Sequence, residues 1–282
     1  MMKKKGQKSI VILGLAQNCS SHLKIFFEFI DKIEPNFKKL YLIIGENDSK
    51  DNTLKYLKSY KNKKVNYKVI NTSLMQKYSH RLERMARGRE YLSKKISKYK
   101  PDYVAWFDLD DILSGGINTK EFMDSIRILK KSNKLFGVSA ISYPYYYDIL
   151  SLRVKNFFMK NIFFISKVRE PFLGFKERKK YVYDVQRRIG NSNILSVSSF
   201  NGACIYKFKY YKFSSYVNFN KSKKLIREQV EHVTFNNFLH NKFKKYILIN
   251  KNLKLKMPIE HFPYDNFISF LFGKFFLMLK KL

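Results

Sequence analysis

Apolar and polar positions along the chain follow two rhythms. Short apolar runs at 10–15, 40–44, 67–70, 103–107 and 136–142 have the length and β-branched or aromatic character of buried strands. Between them the spacing turns helical. Leu23, Phe26, Phe27, Ile30 and Ile33 share one face, and Pro35 stops that run. Asp51 or Asn52 can cap a helix carrying Leu54 and Leu57, residues 81–98 form a charged amphipathic helix, and Asn118 or Thr119 caps another that runs to Lys131. Strands alternating with helices predict an α/β fold with a parallel sheet built by right-handed crossovers. After about residue 142 the periodicity weakens in an aromatic, lysine-rich stretch. It reads as the second half of one domain, 1–265, followed by a C-terminal amphipathic helix over 266–282. Residues 200–206 read as a further strand, where Gly202 permits close backbone approach.

Composition supports a folded core: 45% of the 282 residues are hydrophobic and 17% aromatic. Two cysteines, Cys19 and Cys204, are too few and too distant in sequence for a disulfide framework or zinc site, which favours a reducing, cytoplasmic setting. The stretch 10–16 is too short for a signal peptide, and no run reaches the roughly 18 uncharged apolar residues of a spanning helix. The formal charge of +34 is extreme but scattered. It reflects either compositional bias or an anionic partner, whether membrane, nucleic acid or polyanionic substrate. The 266–282 tail sets Phe267, Phe270, Leu271, Leu277 and Met278 on one broad face with lysines alongside. It is read either as a final packed helix or as a peripheral contact with the inner face of an anionic membrane.

Against this basic background, acid is concentrated in VAWFDLDD, where a strand runs into Asp108, Asp110 and Asp111. Alone, the motif is either a capping turn or a divalent-cation site, since two carboxylates on one side of a strand end can grip Mg²⁺ or Mn²⁺. A second polar loop, GENDSKDNT, supplies Glu46 and Asp48 after the second strand, and QNCSSH follows the first. All three loops fall at the carboxyl edge of the sheet, where α/β proteins bind ligands. Between the two acidic loops lies RLERMARGREYL, holding four of the chain's 11 arginines. These form either a pyrophosphate-binding face or a solvated basic one.

In this order, the apolar strand, ENDSKDNT, the arginine helix and VAWFDLDD resemble a nucleotide-sugar glycosyltransferase of the GT-A fold. The loop is similar to the D-x-S-x-D-x-T loop of family-2-type transferases, and Asp108-Leu109-Asp110 to their D-x-D motif. The fuller pattern resembles proteins related to the capsule-associated α-1,3-mannosyltransferases, which share an E-N-D-S-x-D-x-T loop, an A-x-x-R-[NE] helix and a Y-D-[IL]-x-[AS]-L-R segment. The last stands here as YYDILSLR, and FNGACIY and EQVEHVTFN extend the likeness over roughly residues 9–237.

The resemblance implies a GT-A (Rossmann-like), mostly parallel sheet flanked by helices. It also implies transfer of a hexose from a nucleotide-diphosphate sugar to a surface-polysaccharide or lipid-linked glycan acceptor, with Mn²⁺ or Mg²⁺ as cofactor. Asp110 would be the direct metal ligand, Asp108 would touch metal or ribose, and His232, with His261 as competitor, would be the third ligand. Glu46 and Asp48 would hold the nucleoside above the backbone from Ala16 through Gln17 to Asn18, while Arg84 and Arg89 would face the diphosphate. Glu231 would bind acceptor or act as base, Asp148 would contact donor sugar or acceptor, and Gly202 would lie beside the sugar. One departure is Glu90, where relatives often carry Asn. Two alternatives stand beside this reading. The first is a nucleic-acid-binding protein, suggested by charge and aromatic content although no such motif is present. The second is an inactive, membrane-associated scaffold.

Overall fold

The computed structural model describes residues 8–154, 175–189, 192–217 and 230–279. Glu228 of the distal motif, the Leu277 side chain, and Lys280 and Lys281 of the tail lie outside the described residues. Eight strands form one sheet: β1 (Ser9–Ala16), β2 (Lys39–Glu46), β3 (Val65–Asn71), β4 (Tyr103–Asp108), β5 (Leu135–Tyr143), β6 (Ile194–Ser196), β7 (Ala203–Lys207) and β8 (Tyr246–Lys256). Their spatial order is β3-β2-β1-β4-β7-β5-β8-β6. The first four are parallel, β5 and β8 are parallel, and β7 and β6 run against their neighbours. The expected α/β class, a mostly parallel sheet flanked by helices, therefore holds.

Alternation along each strand divides the core between two layers. Ile10, Ile12, Ala105 and Phe107 face helices α1 (Ser20–Ile33) and α4 (Thr119–Lys131), meeting Phe26, Phe29, Phe122 and Leu129. Val11, Leu13, Val104 and Trp106 face α3 (Arg81–Ile96) and α5 (Glu231–Phe243), meeting Leu92, Phe235 and Leu239. Strands buried on both faces explain why these runs read as continuously apolar. Helix starts are set locally. The Asn118 side chain accepts from the Glu121 N–H at 3.1 Å, and Asp51 accepts from Thr53 N at the head of α2 (Thr53–Ser59). Pro35 lies in the turn that closes α1.

Two elements differ from the sequence reading. Residues 200–206 are not strand throughout: Asn201 (φ 53°) and Gly202 (φ 82°) make a left-handed turn before β7 begins. The 11-residue β8, the longest of the described strands, lies in the stretch whose periodicity read as weak. Helix α6 (Phe267–Leu279) closes the described chain.

Candidate active site

The parallel strands bring three loops to one edge. Ala16 pairs with Glu46, Leu15 with Asp108, and Glu46 with Asn71, so the ends of β1, β2, β3 and β4 stand side by side. Two solvent-open clefts meet there. One, of about 1050 Å³, runs past Ala16, Gln17, Asn47, Thr72 and Arg84. The other, of about 920 Å³, runs past Tyr147, Asp148, Glu231, His232, Glu260 and His261. Arg81, Met85, Arg89, Asp108 and Asp110 line both. The two carboxylates of DLD thus form the ridge between a chamber over the first three strands and one formed by the distal half.

Arg89 organises this ridge. It projects from α3, is 1% exposed, and donates through Nη2 to Asp108 Oδ1 at 2.7 Å and through Nε to Glu231 Oε1 at 3.0 Å. Its guanidinium lies 5.0 Å from the Trp106 ring centroid and 4.8 Å from that of Phe200. Burial opposes its charge, but Asp108 and then Glu231 hold its pKa above the ordinary value. Burial also raises Asp108 and Glu231, and Arg89 offsets only part of that rise. Arg89 Nη1 and Glu231 Oε2 are buried without hydrogen-bond partners.

Asp110 opens to the cleft by surface area, yet the surrounding walls strip its carboxyl of bulk water. That loss of hydration, with Asp108 alongside, pushes it up to about 7. Its Oδ1 accepts weakly from Ile112 N at 3.3 Å. Asp111 turns to the rim and meets His22 Nε2 at 3.1 Å. Asp108 and Glu231 thus flank one buried guanidinium and Asp110 stands beside Asp108, a local excess of acid within a strongly basic chain. Such a pair of partly charged, crowded carboxylates fits a hard divalent cation.

His232 is buried, stacked on Phe200 at 3.7 Å, and has no hydrogen bond on either ring nitrogen. Burial and then Arg89 drive its pKa well below the usual histidine range, so it is neutral. Among the described residues no three His, Cys, Asp or Glu side chains gather as a metal-binding group. In this arrangement His232 shares the second chamber with the aspartates without converging on them. His261 pairs with Glu260 at 3.1 Å and stacks on Tyr147.

The other expected site residues divide between lining and support. Ala16 lines the first chamber. Glu46 is buried behind it, accepting from Ser49 N at 2.7 Å, and Asn18 accepts from Lys50 N at 2.8 Å, so both build the loop. Asp48 is exposed with φ 57°. Neither it, Glu46 nor Asn18 contributes to the chamber wall, which Gln17 and Asn47 form instead. Arg84 lines the chamber while donating to the carbonyls of Tyr78 and Ser79, both at 2.9 Å. Arg89, expected at the diphosphate, is committed to the two carboxylates.

Asp148 lines the second chamber, accepts from Asn201 N at 3.1 Å and also bonds Ser151. Gly202 is locked beside the ridge, its carbonyl accepting from Asp108 N at 2.8 Å. A Cβ there would overlap Ile112 Cδ1. Arg153 donates to the carbonyls of Leu150 and Leu152, and burial lowers its pKa to about 10. Glu90 accepts from Ser215 Oγ and Tyr216 N, both at 2.9 Å, and so anchors the loop after β7.

The sequence reading included Gln17 only as backbone beneath the nucleoside, did not single out Asn47 or Thr72, and gave Arg81 no role apart from the other helix arginines. Arg81 stands exposed at the first position of α3 and lines both chambers. Thr72 carried a usable signal, being the first residue beyond a strand that ends at the same edge.

No protein-family model matches this chain, and no curated protein matches it. Solved structures similar to it include glucosyl-3-phosphoglycerate synthase from Mycobacterium tuberculosis in complex with Mn²⁺, UDP and glucosyl-3-phosphoglycerate. That likeness has 12% identity, covers 73% of this chain and 58% of that one, and has a TM-score of 0.38. Residues 1–349 of S. aureus TarS are 14% identical over 89% of this chain and 61% of that chain, with a TM-score of 0.47. The same synthase with phosphoglyceric acid is 11% identical over 94% and 75%, with a TM-score of 0.44. The chain thus spans about three fifths of the length of the first two.

Proposed function

We propose that this protein is a metal-dependent glycosyltransferase that moves a hexose from a nucleotide-diphosphate sugar to a surface-polysaccharide or lipid-linked glycan. The observation that carries the reading is the ridge of Asp108 and Asp110 between two chambers, with acid outnumbering its one buried cation. The first chamber would take the nucleotide, with Gln17 and Asn47 offering polar contacts and Arg81 and Arg84 facing the diphosphate. The second would take the acceptor beside Asp148 and Glu231.

Asp110 and Asp108 would hold Mn²⁺ or Mg²⁺, which when bound stabilises negative charge on the diphosphate leaving group. Arg89 fixes the Asp108 carboxylate at the ridge and Glu231 at the head of α5, so both are oriented before substrate arrives. That Glu231 lines the second chamber and its Oε2 has no hydrogen-bond partner supports a role for it in accepting a proton or hydrogen bond from an acceptor hydroxyl. Retention of anomeric configuration is the expectation from the family resemblance alone.

The test is titration of the purified protein with UDP- and GDP-sugars, with and without Mn²⁺. Mn²⁺-dependent binding that Asp110→Ala removes, with circular dichroism unchanged, supports the reading. Absence of donor binding, together with tight and steeply salt-dependent DNA binding, overturns it in favour of a nucleic-acid protein.

A further inference from the structure

Helix α6 buries little of its own surface. Ile268, Leu271, Phe272, Phe275, Phe276 and Leu279 are each at least half exposed, and Phe272 reaches 69%. At about 100° per residue, the exposed apolar positions sweep roughly half the helix circumference with no charge among them. The opposite side is the docked one. Phe270 is buried with its ring centroid 5.8 Å from that of Phe175, and Gly273 lies against the Tyr264 ring. This inverts the pattern of a surface helix, whose outward face should be polar.

The surroundings of this face are cationic. Lys274 borders the apolar arc, and α6 has no acidic residue. The short helices beside it expose Lys176, Lys179 and Lys180. Lys179 donates to the Asp265 carbonyl at 3.1 Å, and Arg187 pairs with the Asp265 carboxylate, so basic side chains are tied to the point where α6 begins. Thirteen residues span about 20 Å, too short to cross a bilayer but suited to lying within its interface.

We propose that α6 is an interfacial helix that docks this protein onto an anionic lipid bilayer, its apolar arc entering the acyl boundary and its basic rim meeting the headgroups. The chain segment Pro258, Glu260 and His261 lines the second chamber and leads directly into α6. On the glycosyltransferase reading, on which this clause rests, docking sets the acceptor chamber beside the lipid surface and makes a lipid-linked anionic acceptor the matching substrate class.

The test is flotation of the full chain with vesicles of phosphatidylcholine alone, or mixed with phosphatidylglycerol at roughly two parts to one. The expected result is binding to the mixed vesicles that weakens with salt, and a loss of about tenfold or more for the double variant Phe272→Ser/Phe276→Ser, with an unchanged melting curve. Equal binding by variant and parent overturns the proposal, as does no vesicle binding, or binding indifferent to phosphatidylglycerol. A dimer that the variant dissociates, without vesicle binding, assigns the face to a second copy and also overturns it. Sugar-nucleotide titration without lipid fails or succeeds independently, so a failure of the catalytic reading is separable from a failure of this one.

Discussion

Replacing Arg89 by alanine removes a buried charge that bridges two carboxylates. The side chain is 1% exposed and bridges Asp108 at 2.7 Å and Glu231 at 3.0 Å, residues from β4 and α5. Removing one partner of a buried ion pair costs about 3–5 kcal/mol because the remaining charge is stranded. Here two carboxylates are stranded, and contacts to Trp106 and Phe200 are lost as well. At 2–4 °C per kcal/mol for a chain of this size, the melting temperature should fall by about 10 °C.

The loss should depend on pH, and its sign is fixed. Burial already raises the Asp108 and Glu231 carboxyls, and without Arg89 only Arg81 at Asp108 and a backbone N–H at Glu231 oppose that rise. A carboxyl whose folded pKa exceeds its unfolded value costs stability once pH climbs past the unfolded value, and the cost is relieved by protonation. The gap between parent and Arg89→Ala should therefore be widest near pH 8 and shrink towards pH 5. Differential scanning fluorimetry across that range measures it directly. Equal melting temperatures at pH 8, or a gap that widens on acidification, would refute the account of Arg89 as the neutralising centre.

Gly202→Ala should destabilise the fold by about 2 kcal/mol, since φ is 82° and the added carbon overlaps Ile112; urea denaturation checks this. Arg81→Ala should leave the melting temperature within about 1 °C and weaken sugar-nucleotide affinity about tenfold, because this exposed arginine lines both chambers; scanning fluorimetry reads the first and calorimetric titration the second. Mn²⁺ affinity should fall as pH drops from 8 to 6, since Asp110 titrates at about 7 and its protonated form is a poor ligand; Asp110→Asn should abolish that dependence along with most binding.

The sequence shows the first half of the sheet clearly because strands buried on both faces are unbroken apolar runs, as in β1 and β4. The site's ridge was legible for the complementary reason: three acids following such a run in a basic chain are conspicuous. β8 was not legible, although Ile247, Ile249, Leu253 and Leu255 are all buried. Its pairing with β5 shifts register between Ser139 and Ile141, and at that irregularity the polar run Asn250, Lys251 and Asn252 interrupts the apolar alternation. Nor could spacing separate Arg89 from Arg87. The two lie on opposite sides of α3: Arg87 pairs with Glu83 at 3.5 Å near solvent, while Arg89 turns inward to Glu231, 142 positions away. Only the folded chain supplies that partner. Glu46 shows the converse, an acid in a ligand-like loop whose carboxylate is consumed by the loop's own backbone.

β7 occupies the gap between β4 and β5, strands that follow one another along the chain but never pair. A polypeptide still emerging from the ribosome must hold both with bare inner edges until residues 203–207 are made. The same insertion delivers the Gly202 carbonyl to the Asp108 amide. The joining of β4 to β5 and the anchoring of the Asp108 backbone are thus one late event in synthesis. A truncated product ending before β7 should be an aggregation-prone fragment, without even partial activity.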